Sequence, residues 1–213
     1  MFQCRLAIVL ILAAALPAAA DTIVSVTGTN AFGETNLNYV SWTQTGGFSN
    51  VSIAADLFVS SGTVPTNAYL TTQVGAGTTV AQQVAATSLS ISNTVPALTT
   101  LFTGLTLNPG TYYLVINPTG PNAGNLEWQA LNNPAVVVTA NGVTLNPQGA
   151  FFGVVPAYPP SAAFGGKGNR FAFSVAGTLG IFGVPALSTG AMVVTGVLLL
   201  LSGLLLVRKY ARA

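Results

Sequence analysis

The chain has 213 residues, 51% hydrophobic and only 5% charged, with six Lys and Arg against four Asp and Glu and no histidine. Soluble domains carry about 25% charged residues, so apolar segments outside a folded body are expected. Four of the six cations, Arg5, Arg208, Lys209 and Arg212, lie at the two ends. What remains between them has no basic cluster to neutralise phosphates, which excludes nucleic acid as a partner.

Residues 1–20 combine Arg5, an apolar run from Leu6 to Leu16, and the small residues Ala18 and Ala20 before Asp21. That is the layout of a cleavable secretory signal peptide, with the cut predicted between Ala20 and Asp21. The run is short for a membrane span, which needs roughly 20 apolar residues. The only cysteine, Cys4, lies in this leader. The exported chain therefore has no disulfide and no thiolate ligand, and burial and strand pairing must hold it together.

Residues 21–178 are rich in Thr, Val, Asn, Gly and Ser, in short alternating segments between turn residues. This predicts one all-β domain, a jelly-roll-like β-sandwich. "NLNYVSWTQT" puts Leu37, Tyr39, Ser41 and Thr43 on one face, with Val40 and Trp42 on the other. After Gly46 and Gly47, "FSNVSIAADLFV" aligns Val51, Ile53, Ala55 and Leu57 on one face. "TTVAQQVAATSLS" reads as a loop or short helix, because Val80 and Val84 stand at helical spacing. "LFTGLTLNPGTYYLVIN" reads as a hairpin turning at Pro109-Gly110, and its second arm, apolar on both faces, should lie near a sheet centre. "AVVVTANGVTL" reads as another hairpin, with Asn141-Gly142 as the turn. "VPAYPPS" cannot be a central strand and is predicted to be a surface connection. "RFAFSVAGT" should be the last strand, paired near the first.

Chemistry-bearing residues are few. Without His or Cys, acid–base work would fall to carboxylates and tyrosines, and a triad hydrolase is excluded for want of its base. Glycoside hydrolysis needs two carboxylates across a cleft, and the spacing of Glu34, Asp56 and Glu127 does not argue for one. Asp21, Asn30, Glu34 and Asp56 could supply oxygens to Ca2+, but solvated loop residues are the simpler reading and no cofactor is expected. Two glycan contacts are candidates. Trp128, flanked by Glu127 and Gln129, could stack on a sugar ring, as could Trp42, although aromatics in sandwiches are usually core. Lys167 and Arg170 in "FGGKGNR" are the body's only cations and suit an anionic polysaccharide.

After a linker at 179–185, residues 186–207 contain no charge, and seven leucines fall between Leu198 and Leu206. Twenty-two helical residues span ~33 Å, against a hydrocarbon core of ~30 Å. The basic tail 208–213, with Arg208, Lys209 and Arg212, is expected to stay cytoplasmic and leave the body exported.

"VPALS" (Val184, Pro185, Ala186, Leu187, Ser188), one helix and a short basic end together resemble the PEP-CTERM type of bacterial sorting signal, in its IPTL-like variant. The resemblance implies that a membrane-embedded exosortase processes the tail and passes the protein to the surface or extracellular matrix. "VSWTQTGGFSNVSIAA", "AYLTTQVGAGTT", "FTGLTLNPGTYYLVI" and "FAFSVAGT" are similar to β-sandwich exoproteins that carry interchangeable anchors. The expectation is a non-catalytic surface or biofilm-matrix protein, structural or adhesive, that meets polysaccharide or matrix proteins. The alternative is a carbohydrate-binding module or carbohydrate-active enzyme using Trp128 and Glu127.

Overall fold

The structure is a computed structural model that describes residues 20–28, 31–34, 38–131, 135–151, 158–160 and 164–180. Almost all of the leader, Asn30, the motif Val184–Ser188, the helix expected at 186–207 and the cations Arg208, Lys209 and Arg212 lie outside the described residues. Among the described residues no helix is long and apolar enough to cross a membrane.

The described residues form fifteen strands in chain order: β1 (Asp21–Thr27), β2 (Ala31–Glu34), β3 (Asn38–Gln44), β4 (Phe48–Val59), β5 (Val64–Thr71), β6 (Gln83–Ile91), β7 (Ala97–Leu107), β8 (Gly110–Pro118), β9 (Leu126–Leu131), β10 (Val136–Thr139), β11 (Val143–Leu145), β12 (Gln148–Phe151), β13 (Phe164–Lys167), β14 (Arg170–Phe171) and β15 (Phe173–Leu179). They form two antiparallel sheets, as a β-sandwich requires. The first runs β10-β1-β15-β4-β9-β14, with β2 added on β9 and β7 on β4. The second runs β13-β12-β3-β8-β5-β6, with β11 added on β3.

Period-two alternation decides which side chains meet between the sheets. Val51, Ile53, Ala55 and Leu57 from β4 face Val40 and Trp42 of β3 and Leu114 and Ile116 of β8 in one buried cluster. The Trp42 and Phe173 rings, from opposite sheets, lie 6.1 Å apart. Each large apolar side chain so buried contributes roughly 1.5–3 kcal/mol. As expected, β8 is central, between β3 and β5, and β15 pairs with β1, Val26 opposite Phe173.

The two expected hairpins are corrected. β7 pairs with β4 in the first sheet, whereas β8 pairs with β3 and β5 in the second. Likewise β10 lies on β1 while β11 lies on β3. Pro109-Gly110 and Asn141-Gly142 do turn the chain, but they carry it from one sheet to the other. Flanking alternation is the same for a hairpin and for such an arch, so local pattern cannot separate them. Gln44 closes the first arch: its Nε2 donates to the carbonyls of Leu107 (3.2 Å) and Asn108 (3.1 Å), and its Oε1 accepts from Trp42 Nε1 (3.1 Å). The stretch read as a loop or short helix is mostly strand. A 3₁₀ turn at Val80–Gln82, capped by Thr79, leads straight into β6. Val80 and Val84 are exposed there, and their helical spacing buries nothing.

A left-handed Asn50 (φ 51°) forms a bulge in β4, where the registers with β7 and β15 both shift. Asn tolerates this region of backbone space better than most residues. The second sheet also buries its outer face, through Tyr39, Tyr69, Val74 and Val115 with Tyr113 and Tyr158 against them. The Tyr158 ring lies tilted against that of Tyr69, 5.1 Å away, and its hydroxyl donates to Thr79 O, while Pro160 O accepts from Gly75 N. The described part of "VPAYPPS" is thus a strap pinned across that sheet.

Candidate functional site

The outer face of the first sheet is organised around Ala172, which separates β14 from β15. Phe171 pairs with Ala130 of β9, and Phe173 pairs with Ala55 of β4, so the last strand changes neighbours at this residue. Ala172 joins the seam by accepting from Asp56 N (3.1 Å) and Trp128 Nε1 (2.8 Å), while its own N–H donates to Gln129 O (2.9 Å). One residue earlier, Phe171 N donates to Gln148 Oε1 of the other sheet (2.6 Å).

This geometry corrects the reading of Trp128. Its indole is 1% exposed, satisfied at Ala172 and packed 5.1 Å from the Phe171 ring. It points inward with Leu126 and Ala130 and offers no face to a sugar. Trp42 is equally buried. Period two explains both positions, because each tryptophan alternates with polar residues that face out.

Asp56 stands on the outer side of β4, beside the seam. It lines a cavity of about 210 Å³ whose other walls include Ser25, Gln129, Ser174 and Leu98. Its Oδ1 is closed off from solvent and accepts no hydrogen bond. Burial pushes the Asp56 carboxyl above the ordinary carboxylate range, since desolvation disfavours the charged form. Leu98, opposite Asp56 on β7, is 60% exposed. Glu127 pairs with Phe58, one residue pair further along the same face. Its carboxylate lies over Gly33 of β2, where a Cβ would collide with it. It does not line the Asp56 cavity.

The other acidic candidates are not brought together. Asp21 opens β1 opposite Gly177 and is exposed, as is Ala20 before it. Glu34 belongs to β2, opposite Trp128. Among the described residues there is no group of three or more His, Cys, Asp or Glu that could hold a metal ion.

The two body cations share one corner. Lys167 ends β13 in the second sheet and Arg170 opens β14 in the first, so Gly168 and Asn169 cross between sheets. Arg170 Nη1 donates to Asn146 O (3.4 Å) and lines a cavity of about 240 Å³ with Leu131, Ala135 and Gly168. A guanidinium carries five donors in a planar fork that matches an anion's oxygens. Sequence reading missed the Asp56 cavity because Leu98, Gln129 and Ser174 come from three strands far apart in the chain. Compared with known proteins, the chain matches no family model, no curated protein and no solved structure.

Proposed function

We propose that this chain is an exported, non-catalytic β-sandwich protein of a bacterial surface or extracellular matrix, sorted through its C-terminal segment by an exosortase-type enzyme. In this reading the leader 1–20 directs export, and the jelly-roll-like body is held at the membrane by residues 186–207 until "VPALS" is processed. The observation that carries the body's role is the exposed hydroxyl rows on the outer strands β6 and β7. Ser88 and Ser90, and Thr100, Thr103 and Thr106, face solvent with no charge among them. Such rows suit contact with polysaccharide or matrix proteins through many weak hydrogen bonds. A non-catalytic role is supported by the position of Glu127, outside the cavity that holds Asp56.

A second reading, a carbohydrate-binding module, is favoured by the Lys167–Arg170 corner rather than by Trp128. There the guanidinium fork suits a sugar carboxylate or sulfate.

Mass spectrometry of the protein from membrane and released fractions tests the sorting route. Released protein should end near Ser188, without the basic tail. An intact Ala213 terminus in every fraction would overturn sorting and leave a plain anchor.

A further inference from the structure

The seam at Ala172 carries a group that the proposed role does not use. Asp56 is the described carboxylate with a closed-off oxygen, and among the described residues no cation lines its cavity. A buried polar atom without a partner demands an explanation, because folds satisfy nearly all such atoms. We infer that the Asp56 cavity is a subsite for one ring of a neutral, hydroxyl-rich glycan. The carboxylate would accept from sugar hydroxyls, Gln129 and the hydroxyls of Ser25 and Ser174 would complete the polar edge, and Leu98 would face the ring's C–H patch.

Each feature of the ligand follows from the walls. The volume of about 210 Å³ lies below the ~300 Å³ at which sites for drug-sized ligands begin, so one ring fits and a longer chain must run along the surface. Hydroxyls are donors that a carboxylate can use without a counter-charge, and the Asp56 oxygen that is not closed off, Oδ2, is the one that would accept from them. A divalent cation fits less well, since it needs several oxygen ligands and Asp56 is the only carboxylate among the described residues of the cavity wall. The mixture of serine hydroxyls, an amide and one exposed leucine matches a sugar, which has a polar rim and an apolar face. The desolvated state of the carboxyl agrees with a group held ready inside a partly closed dent.

The inference rests on the reading that the exported body meets polysaccharide, but its experiment addresses the cavity alone. Saturation-transfer NMR on the full-length chain in a non-glycosidic detergent, with cellotetraose, laminaritetraose and mannotetraose as probes, is the test. At least one probe should show transfer, which Asp56→Asn and Gln129→Ala each reduce at least fivefold and Val80→Ala, at an exposed position of the 3₁₀ turn, leaves unchanged. Asp56→Asn should melt no lower than the native protein. Absence of transfer from all three probes, or equal transfer to Asp56→Asn, overturns the subsite. So does a lower melting temperature for Asp56→Asn, which marks the carboxylate as structural. A Ca2+-dependent rise in melting temperature that Asp56→Asn lacks would make this a cation site instead. Retention on isolated matrix polysaccharide that is lost in Arg170→Ala but kept in Asp56→Asn would overturn the subsite and preserve the broader role.

Discussion

The two sheets share one core but treat their outer faces differently. The second sheet covers its outer face: Tyr39 and Tyr113 meet edge to face at 5.8 Å, Tyr69 and Tyr158 pack at a tilt, and the residue 158–160 strap is bonded across Thr71 and Gly75. Among the described residues the first sheet leaves its outer face open, with Ser25, Asp56 and Ser174 around a dent and Val136, Val137 and Val138 exposed on the edge strand β10. A covered face adds stability, whereas an open one leaves polar groups to be satisfied from outside. The candidate ligand site therefore lies on the face that the fold does not finish.

The largest expected effect breaks what both faces share. Trp128→Ala should cost about 3–5 kcal/mol, the range for emptying a buried aromatic site, measured by urea or thermal unfolding. A loss below about 1 kcal/mol would return Trp128 to the surface and reopen the stacking role.

Next comes the covered face. A Cβ on Gly149 would stand 2.5 Å from the Tyr39 ring, so Gly149→Ala must push that ring off the sheet. An overpacking cost of about 1–3 kcal/mol is expected. An unchanged melting temperature would show that the tyrosine layer is loose and that the two faces differ less than described.

The smallest effect sharpens the open face and is a slope rather than a shift. Burial raises the Asp56 carboxyl pKa above its unfolded value of 3.8. Between those two values the folded state binds more protons than the unfolded one, so stability falls as pH rises through the window. At higher pH the folded carboxylate is charged and the penalty is complete. Asp56→Asn should remove this slope while leaving the rest of the pH profile unchanged. Unfolding midpoints at several pH values from 3.5 upward check it, and a slope that persists in the variant assigns it to other groups.

Alternation in the sequence by itself determined the inward row Val51, Ile53, Ala55 and Leu57, the shared face of Val40 and Trp42, and the central place of β8. In each case a side chain's face depends on its own strand, because successive residues point to opposite sides. The pairing of the last strand with the first was also legible. Tertiary structure alone decided which sheet each strand joined. Pro109-Gly110 and Asn141-Gly142 are turns in either case, and only the partners β4, β3 and β1 show that they are crossings. The same holds for the candidate site. Asp56 and Arg170 were visible as charged residues, but a cavity is built by strands distant in sequence, and its shape depends on where a strand breaks. Ala172 marks that break, and nothing in "RFAFSVAGT" distinguishes it from its neighbours until β4 and β9 compete for the same strand.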